Sequence, residues 1–136
     1  MVKNYKIELT EKPRGYHLID SEISKNIPKW PDSGLLTLFI QHTSAAICIN
    51  ENADPTVRED FELIFNRIVP ENIPGIKHTY EGPDDMPAHI KAAMIGSSIQ
   101  VPIVNGRLSM GTWQGIYLCE FRNNGGRRRL IANIIS

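Results

Sequence analysis

Three of the four histidines in this chain sit in polar runs that core packing does not explain. His42 lies in Gln41-His42-Thr43-Ser44, at the end of an apolar run, and His78 and His89 bracket Glu81, Asp84 and Asp85. Imidazoles with carboxylates close by are the ingredients of a catalytic divalent-metal site: nitrogen ligands, an open position, and carboxylates that orient the rings. His42, His78 and His89 are therefore the expected metal ligands, and they should converge on one pocket. Their spacing matches no known ligand motif, and each histidine taken alone reads more often as a hydrogen-bonded structural residue than as a ligand. His17 is read as packing or surface.

Other polar residues gather in three further places. Glu51, in Asn50-Glu51-Asn52-Ala53-Asp54, follows an apolar run and has no helix end to serve, which marks it for chemistry. Asp54 and the pair Asp84-Asp85 stand at helix starts, where carboxylates cap amides and oppose the helix dipole. Thr112-Trp113-Gln114 reads either as a ligand-binding slot or as a plain strand start with Trp113 in the core. Glu120 precedes Arg127-Arg128-Arg129. On a strand Arg127 and Arg129 face one way and Arg128 the other, so Arg128, taken as solvent-facing, has a guanidinium fork free for a phosphate and should tolerate alanine. Gly125-Gly126 beside it has bare backbone amides, although no Walker or dinucleotide fingerprint is present.

The elements that must position these groups follow from periodicity. Residues 2–10 alternate, with Tyr5, Ile7 and Leu9 on one face, as in a half-buried strand. A short helix with Asp20 as its cap comes next, closed by Pro28 and Pro31. Residues 34–41 form a nearly continuous apolar run, the pattern of a central strand buried on both faces, and residues 45–50 form another strand. Asp54-Pro55 opens a helix whose Phe61, Ile64, Phe65 and Ile68 make one apolar stripe. A helix from Asp85 to Met94 stops at Gly96. Asn105-Gly106 joins two strands in a hairpin. Residues 116–122 and 128–135 read as strands of a second, looser hairpin around Asn123-Asn124-Gly125-Gly126. About eight strands and three helices, unevenly distributed, indicate an α+β domain, and the absence of repeats or linkers makes residues 1–136 a single domain.

Composition narrows the functional classes. The 136 residues are 41% hydrophobic and 22% charged, which is ordinary for a folded domain. Fifteen basic side chains balance fifteen acidic ones, which argues against a nucleic-acid binder. No apolar run approaches the roughly 20 residues of a membrane span, and the first residues lack a signal-peptide core, so neither a membrane nor a secretory route is expected. Cys48 and Cys119 lie in apolar runs and are read as buried free thiols of a cytoplasmic protein, with a disulfide as the lesser alternative.

Gln-His-Thr-Ser-Ala (41–45), Asn-Glu-Asn-Ala-Asp-Pro-Thr-Val-Arg (50–58), Glu-Gly-Pro-Asp-Asp-Met-Pro-Ala-His-Ile-Lys (81–91), Gly-Thr-Trp-Gln-Gly-Ile (111–116) and Gly-Gly-Arg-Arg-Arg (125–129) together resemble the YjbQ-like protein family, in order and from end to end. That family is often labelled a secondary thiamine-phosphate synthase. The resemblance implies a sandwich of mixed or antiparallel sheets with helices, a homotrimer, and a pocket near the subunit contact. His42, Glu51, Asn52, Asp54, His78, Asp85, His89, Thr112, Gln114, Glu120 and Arg128 fall on family motif positions. The expectation that follows assigns Glu51, Asp54, Asp85 and Glu120 to catalysis and His42, His78 and His89 to a divalent ion. Ser44, Asn52, Thr112, Trp113, Gln114 and Arg128 would contact a phosphorylated small molecule. The implied reaction joins a pyrimidine diphosphate to a thiazole phosphate and releases pyrophosphate. A nitrogen-rich ligand set suits Zn²⁺, Mn²⁺ or Fe²⁺ better than Mg²⁺, which keeps metal-dependent hydrolysis of a phosphorylated metabolite open. A non-catalytic small-ligand binder is the alternative of a different class.

Overall fold

A computed structural model describes residues 1–136. In chain order the elements are β1 (Val2–Glu8), β2 (Gly15–Leu18), α1 (Asp20–Asn26), β3 (Ser33–Ile40), β4 (Ala45–Glu51), α2 (Pro55–Ile68), α3 (Asp85–Ile95), β5 (Ser98–Val104), β6 (Arg107–Leu108), β7 (Gln114–Glu120) and β8 (Arg129–Ile135). The strands form a five-stranded sheet, β1-β8-β3-β5-β6, and a three-stranded sheet, β2-β7-β4. Every pairing is antiparallel. The expected α+β sandwich is the observed one. None of its helices is long and apolar enough to cross a membrane.

The layers follow from alternation along each strand. Ile7, Leu36, Leu38, Ile40, Val101, Ile103, Leu130 and Ile134 of the large sheet meet Ala45, Ile47, Ile116 and Leu118 of the small sheet, and Ile19, Ile23 and Ile27 close one side. The other face of the small sheet presents Tyr16, Ala46, Tyr117 and Cys119 to Phe65 and Val69 at α2 and to Ala88 and Ala92 on α3. The core thus lies in two storeys, with the small sheet between the large sheet and the two long helices. Cys48 and Cys119 lie on adjacent strands of the small sheet with their sulfurs 3.6 Å apart, as free thiols.

Several local expectations change. β3 is central in the large sheet but buried on one face only: Leu36, Leu38 and Ile40 point inward, while Phe39 is 47% exposed on the outer face. Of the α2 stripe, Phe61 and Phe65 pack inward with Val69, at i, i+4 and i+8, and Ile64 and Ile68 face outward. Asp20 does not cap α1. Ile19 occupies that position, and the Asp20 carboxylate accepts the Ile116 N–H at 3.1 Å, tying α1 to β7. β2 is only four residues long, too short for a periodic signal. The Asn105-Gly106 hairpin is present, with φ of 52° and 75° at its two turn residues.

The largest correction concerns the C-terminal strands. β7 and β8 are not a hairpin: β7 belongs to the small sheet and β8 to the large one. Residues 121–128 cross between the sheets, and residues 41–44 make the same crossing beside them. The β3–β8 ladder ends where Gln41 N–H donates to Arg129 O at 3.0 Å, and the β4–β7 ladder opens at Ala45 opposite Glu120. At this double crossing Arg128 grips Glu120, with Nε on Oε1 at 2.7 Å and Nη2 on Oε2 at 2.6 Å. Nη2 also reaches Ser44 Oγ at 3.0 Å. Glu120 is 0% exposed and Arg128 5% exposed.

Arg128 is therefore no solvent-facing strand residue, and Glu120 is a neutralised structural carboxylate rather than a free catalytic one. Ser44, expected at substrate, accepts from Arg128 instead. Gly125 serves the same contact: a Cβ there would fall 2.1 Å from Glu120 Oε1, so only glycine lets the backbone pass. Its bareness accommodates a carboxylate of the chain itself rather than a phosphate. Removing one partner of a desolvated ion pair strands the other charge. Arg128→Ala is expected to lower stability by about 3–5 kcal/mol in urea denaturation. A loss within about 0.5 kcal/mol, the size of an ordinary surface substitution, would show that the pair does not hold the crossing.

Candidate metal centre

α3 begins at Asp85, and Asp85 and His89 lie one turn apart on the same helix face. The loop before the helix turns at Gly82, whose φ of +110° favours glycine, and it carries His78 back over that turn. His78 Nε2 lies 2.6 Å from Asp85 Oδ2, and His89 Nε2 lies 3.1 Å from the same oxygen. Asp85 is 2% exposed. Its second oxygen, Oδ1, receives Arg122 Nη1 at 2.7 Å. Arg122 Nε donates to Asp84 Oδ2 at 2.8 Å, and the Asn123 N–H adds 2.9 Å to that oxygen. Asp84 was expected to cap α3. It makes no cap bond, because the crossover residues Arg122 and Asn123 take its carboxylate.

The partners of His89 fix its proton. Nδ1 lies 2.8 Å from Thr43 O, and a carbonyl oxygen only accepts, so Nδ1 carries hydrogen. In the neutral ring, Nε2 then presents a lone pair to a carboxylate oxygen that also only accepts. Two lone pairs at 3.1 Å repel unless a proton or a cation lies between them. A ring N–H held by a backbone carbonyl with the other nitrogen free is the usual state of a metal-ligating histidine. His78, Asp85 and His89 each aim one ligand atom inward, and these atoms lie within 4.8 Å of one another. Two imidazoles and one carboxylate fit Zn²⁺, Mn²⁺ or Fe²⁺ better than Mg²⁺.

His42 does not join them. Its Nε2 accepts the Arg129 N–H at 2.8 Å, so in the neutral ring the proton is on Nδ1 and no lone pair is left for a metal. Burial, then the charges of Arg128 and Arg129, push its pKa below the ordinary histidine value. His42 and His89 instead line one open cavity of about 370 Å³, with Thr43, Ala45 and Ala92 among its walls. His78 lines a second hollow of about 270 Å³ with Ile73, Met86 and Pro87. The cluster stands between the two.

The remaining expected site residues lie elsewhere. Glu51 pairs with Gln114 at the far end of the ladder that begins at Ala45 and Glu120, about 20 Å away at 3.3–3.4 Å per residue. Asn52 Nδ2 donates to Thr112 O at 3.1 Å and Gln114 O at 3.0 Å, and Gln114 Oε1 accepts the Gly111 N–H at 2.8 Å. These side chains build a turn. Trp113 on that turn is 64% exposed rather than in the core. Asp54 caps α2 through Thr56, and Glu51 Oε2 accepts the Asp54 N–H at 3.3 Å, so Glu51 does serve a helix start. Arg122 and the Thr43 carbonyl were missed. Nothing local marks a backbone carbonyl, and the Arg122 partners lie 37 and 38 positions earlier.

Burial pushes the Asp84 and Asp85 carboxyls up, but their bonds and charges outweigh it. The Asn123 N–H and Arg122 lower Asp84; the His78 hydrogen bond and the His89 and Arg122 charges lower Asp85. Both end below the ordinary carboxylate range. Their stabilising contribution is complete above the unfolded pKa of about 3.9 and fades as pH falls through the lower folded values. Asp84→Asn is therefore expected to destabilise at pH 7, with the gap to wild type closing below about pH 4. Urea midpoints measured from pH 7 down to pH 2 test this, and a gap that stays constant with pH would refute it.

The chain is similar to known proteins over most of its length. The profile of the family described as UPF0047 protein YjbQ-like matches residues 5–136. UPF0047 protein YjbQ of Salmonella typhimurium is 51% identical over 130 residues, covering 94% of each chain. UPF0047 protein YugU of Bacillus subtilis is 44% identical over 97 residues, covering 71% of this chain and 70% of that one. Among solved structures, an uncharacterised YjbQ/UPF0047-family protein from Clostridium acetobutylicum is 36% identical with a TM-score of 0.76, covering 96% of this chain and 98% of that one. A YbjQ-like protein of unknown function from Sulfolobus solfataricus superposes with a TM-score of 0.84 at 22% identity, covering 98% and 96%, and supports the fold. The profile match over residues 5–136, with 51% identity to a curated relative across 94% of each chain, makes this chain a member of the YjbQ/UPF0047 family.

Proposed function

We propose that the chain is a divalent-metal-dependent enzyme acting on a phosphorylated small molecule, with His78, Asp85 and His89 as the metal ligands. The observation that carries this is the orientation of His89: with Nδ1 on Thr43 O, its Nε2 faces the Asp85 oxygen that His78 also reaches. A divalent ion held there supplies Lewis acidity toward a phosphoryl oxygen. The chain's own part is positioning. Arg122 holds Oδ1 of Asp85 and so turns Oδ2 to the two rings. The cavity between His42 and His89 has room for a small molecule beside the cluster. Arg129, which makes no ion pair and lies close enough to depress the His42 pKa, adds positive charge there.

Two reactions fit this reading. Thiamine-phosphate synthesis, joining a pyrimidine diphosphate to a thiazole phosphate with release of pyrophosphate, is supported by the motif resemblance. Hydrolysis of a phosphorylated metabolite is supported by the donor set, since the Mg²⁺ that commonly serves diphosphates prefers oxygen ligands. In this reading the chain works as a homotrimer, and its two unlinked thiols suit a reducing cytoplasm.

Protein purified without chelator or affinity tag should carry about one metal ion per chain. Asp85→Asn and His89→Ala should carry almost none, and Arg122→Gln should bind the metal about ten- to a hundredfold more weakly. Phosphate or pyrophosphate release should fall with the metal. Growth rescue of a strain lacking its thiamine-phosphate synthase, by wild type but not by His89→Ala, selects synthesis over hydrolysis. A metal-free wild type whose turnover ignores chelators would overturn the reading, and an anion bound without metal or turnover would leave a non-catalytic binder.

A further inference from the structure

The Arg128 guanidinium has three nitrogens, and the chain satisfies only two of them. Nε and Nη2 are taken by Glu120, and Nη2 also by Ser44. Nη1 has one polar neighbour, His42 Nδ1, at 3.4 Å. That neighbour is not an acceptor. An imidazolium would carry hydrogen on Nε2 as well, and Nε2 accepts the Arg129 N–H, so the ring is neutral and its proton is on Nδ1. The low pKa of His42, set by burial and then by Arg128 and Arg129, agrees.

Two N–H donors therefore face each other with no acceptor of the chain between them. Arg128 is 5% exposed, so Nη1 has little access to bulk water. A buried donor without an acceptor is costly, and more so when it is charged. His42 is one of the residues that line the cavity shared with His89.

We propose that His42 Nδ1 and Arg128 Nη1 form an oxyanion-binding point that holds one phosphate oxygen of the substrate at the His42 edge of the cavity lined also by His89. This deepens the proposed function and rests on it for the nature of the ligand. An oxygen about 2.9 Å from each nitrogen satisfies both donors. Glu120 holds the guanidinium so that Nη1 is turned to His42, which makes it a positioning residue, and His42 acts as a neutral donor.

The test is a calorimetric titration of inorganic phosphate into metal-free protein held in chelator. It compares wild type with His42→Gln and His42→Asn. Glutamine can return an acceptor to the place of Nε2 but leaves nothing at Nδ1; asparagine does the reverse. His42→Gln should bind phosphate about tenfold or more weakly, the effect of one hydrogen bond to a charged group, while His42→Asn keeps most of the affinity. Equal affinities in all three would overturn the proposal. So would a ¹⁵N spectrum of wild type with the His42 proton on Nε2, a measurement that decides the matter even if a variant fails to fold. Metal content separates this inference from the metal reading. His42→Gln should hold as much metal as wild type, and a protein that binds phosphate at His42 but no metal would sink only the metal reading.

Discussion

The Glu120–Arg128 ion pair is the contact on which the rest of the molecule depends. Two segments, 41–44 and 121–128, leave one sheet and enter the other side by side, and the pair lies where they cross. Burying two charges is favourable only when geometry is good and the remaining polar atoms are satisfied. Here the fork is bidentate, Ser44 takes a further guanidinium hydrogen, and Arg122 N–H adds to the carboxylate. The sheets cannot shift against each other without breaking these bonds. This rigidity also fixes the start of residues 42–44, and with it both the His42 ring and the Thr43 carbonyl that sets the His89 tautomer.

A second buried carboxylate has the opposite character. Glu120 gives both oxygens to one guanidinium and one of them also to a backbone N–H, while Asp85 is shared between Arg122 on one oxygen and two imidazoles on the other. The imidazole side is open through His78 and His89, each lining a hollow. Both carboxylates thus face an arginine from the crossing. In one the carboxylate spends both oxygens on the arginine, and in the other the arginine takes one oxygen and the second faces the two imidazoles.

Much of this was legible in the sequence, for reasons that differ by residue. Asp85 and His89 are one helical turn apart, a spacing that puts them on one face wherever the helix docks. The Asn105-Gly106 turn was visible because both residues must take positive φ. The β7–β8 connection differs from a hairpin because, although strands adjacent in sequence usually pair, β7 pairs with β2 and β4 and β8 with β1 and β3. The inward set of α2 differs from the sequence reading because Phe61, Ile64, Phe65 and Ile68 form an unbroken stripe, whereas the packed set is Phe61, Phe65 and, just past the helix end, Val69. Asn52 and Gln114 looked like ligand contacts because polar side chains that brace a turn have the same composition as those that bind substrate.

The place of β8 has a consequence for the order in which the molecule can be assembled. β8 lies between β1 and β3 and hydrogen-bonds to both. As the chain emerges from the ribosome, its first strand therefore waits for its last, and until then β1 has no partner and β3 has an open edge toward the missing neighbour. Unpaired edges of this kind are where growing chains associate with one another. The interval lengthens when synthesis between β3 and β8 stalls, which leaves those edges open for longer.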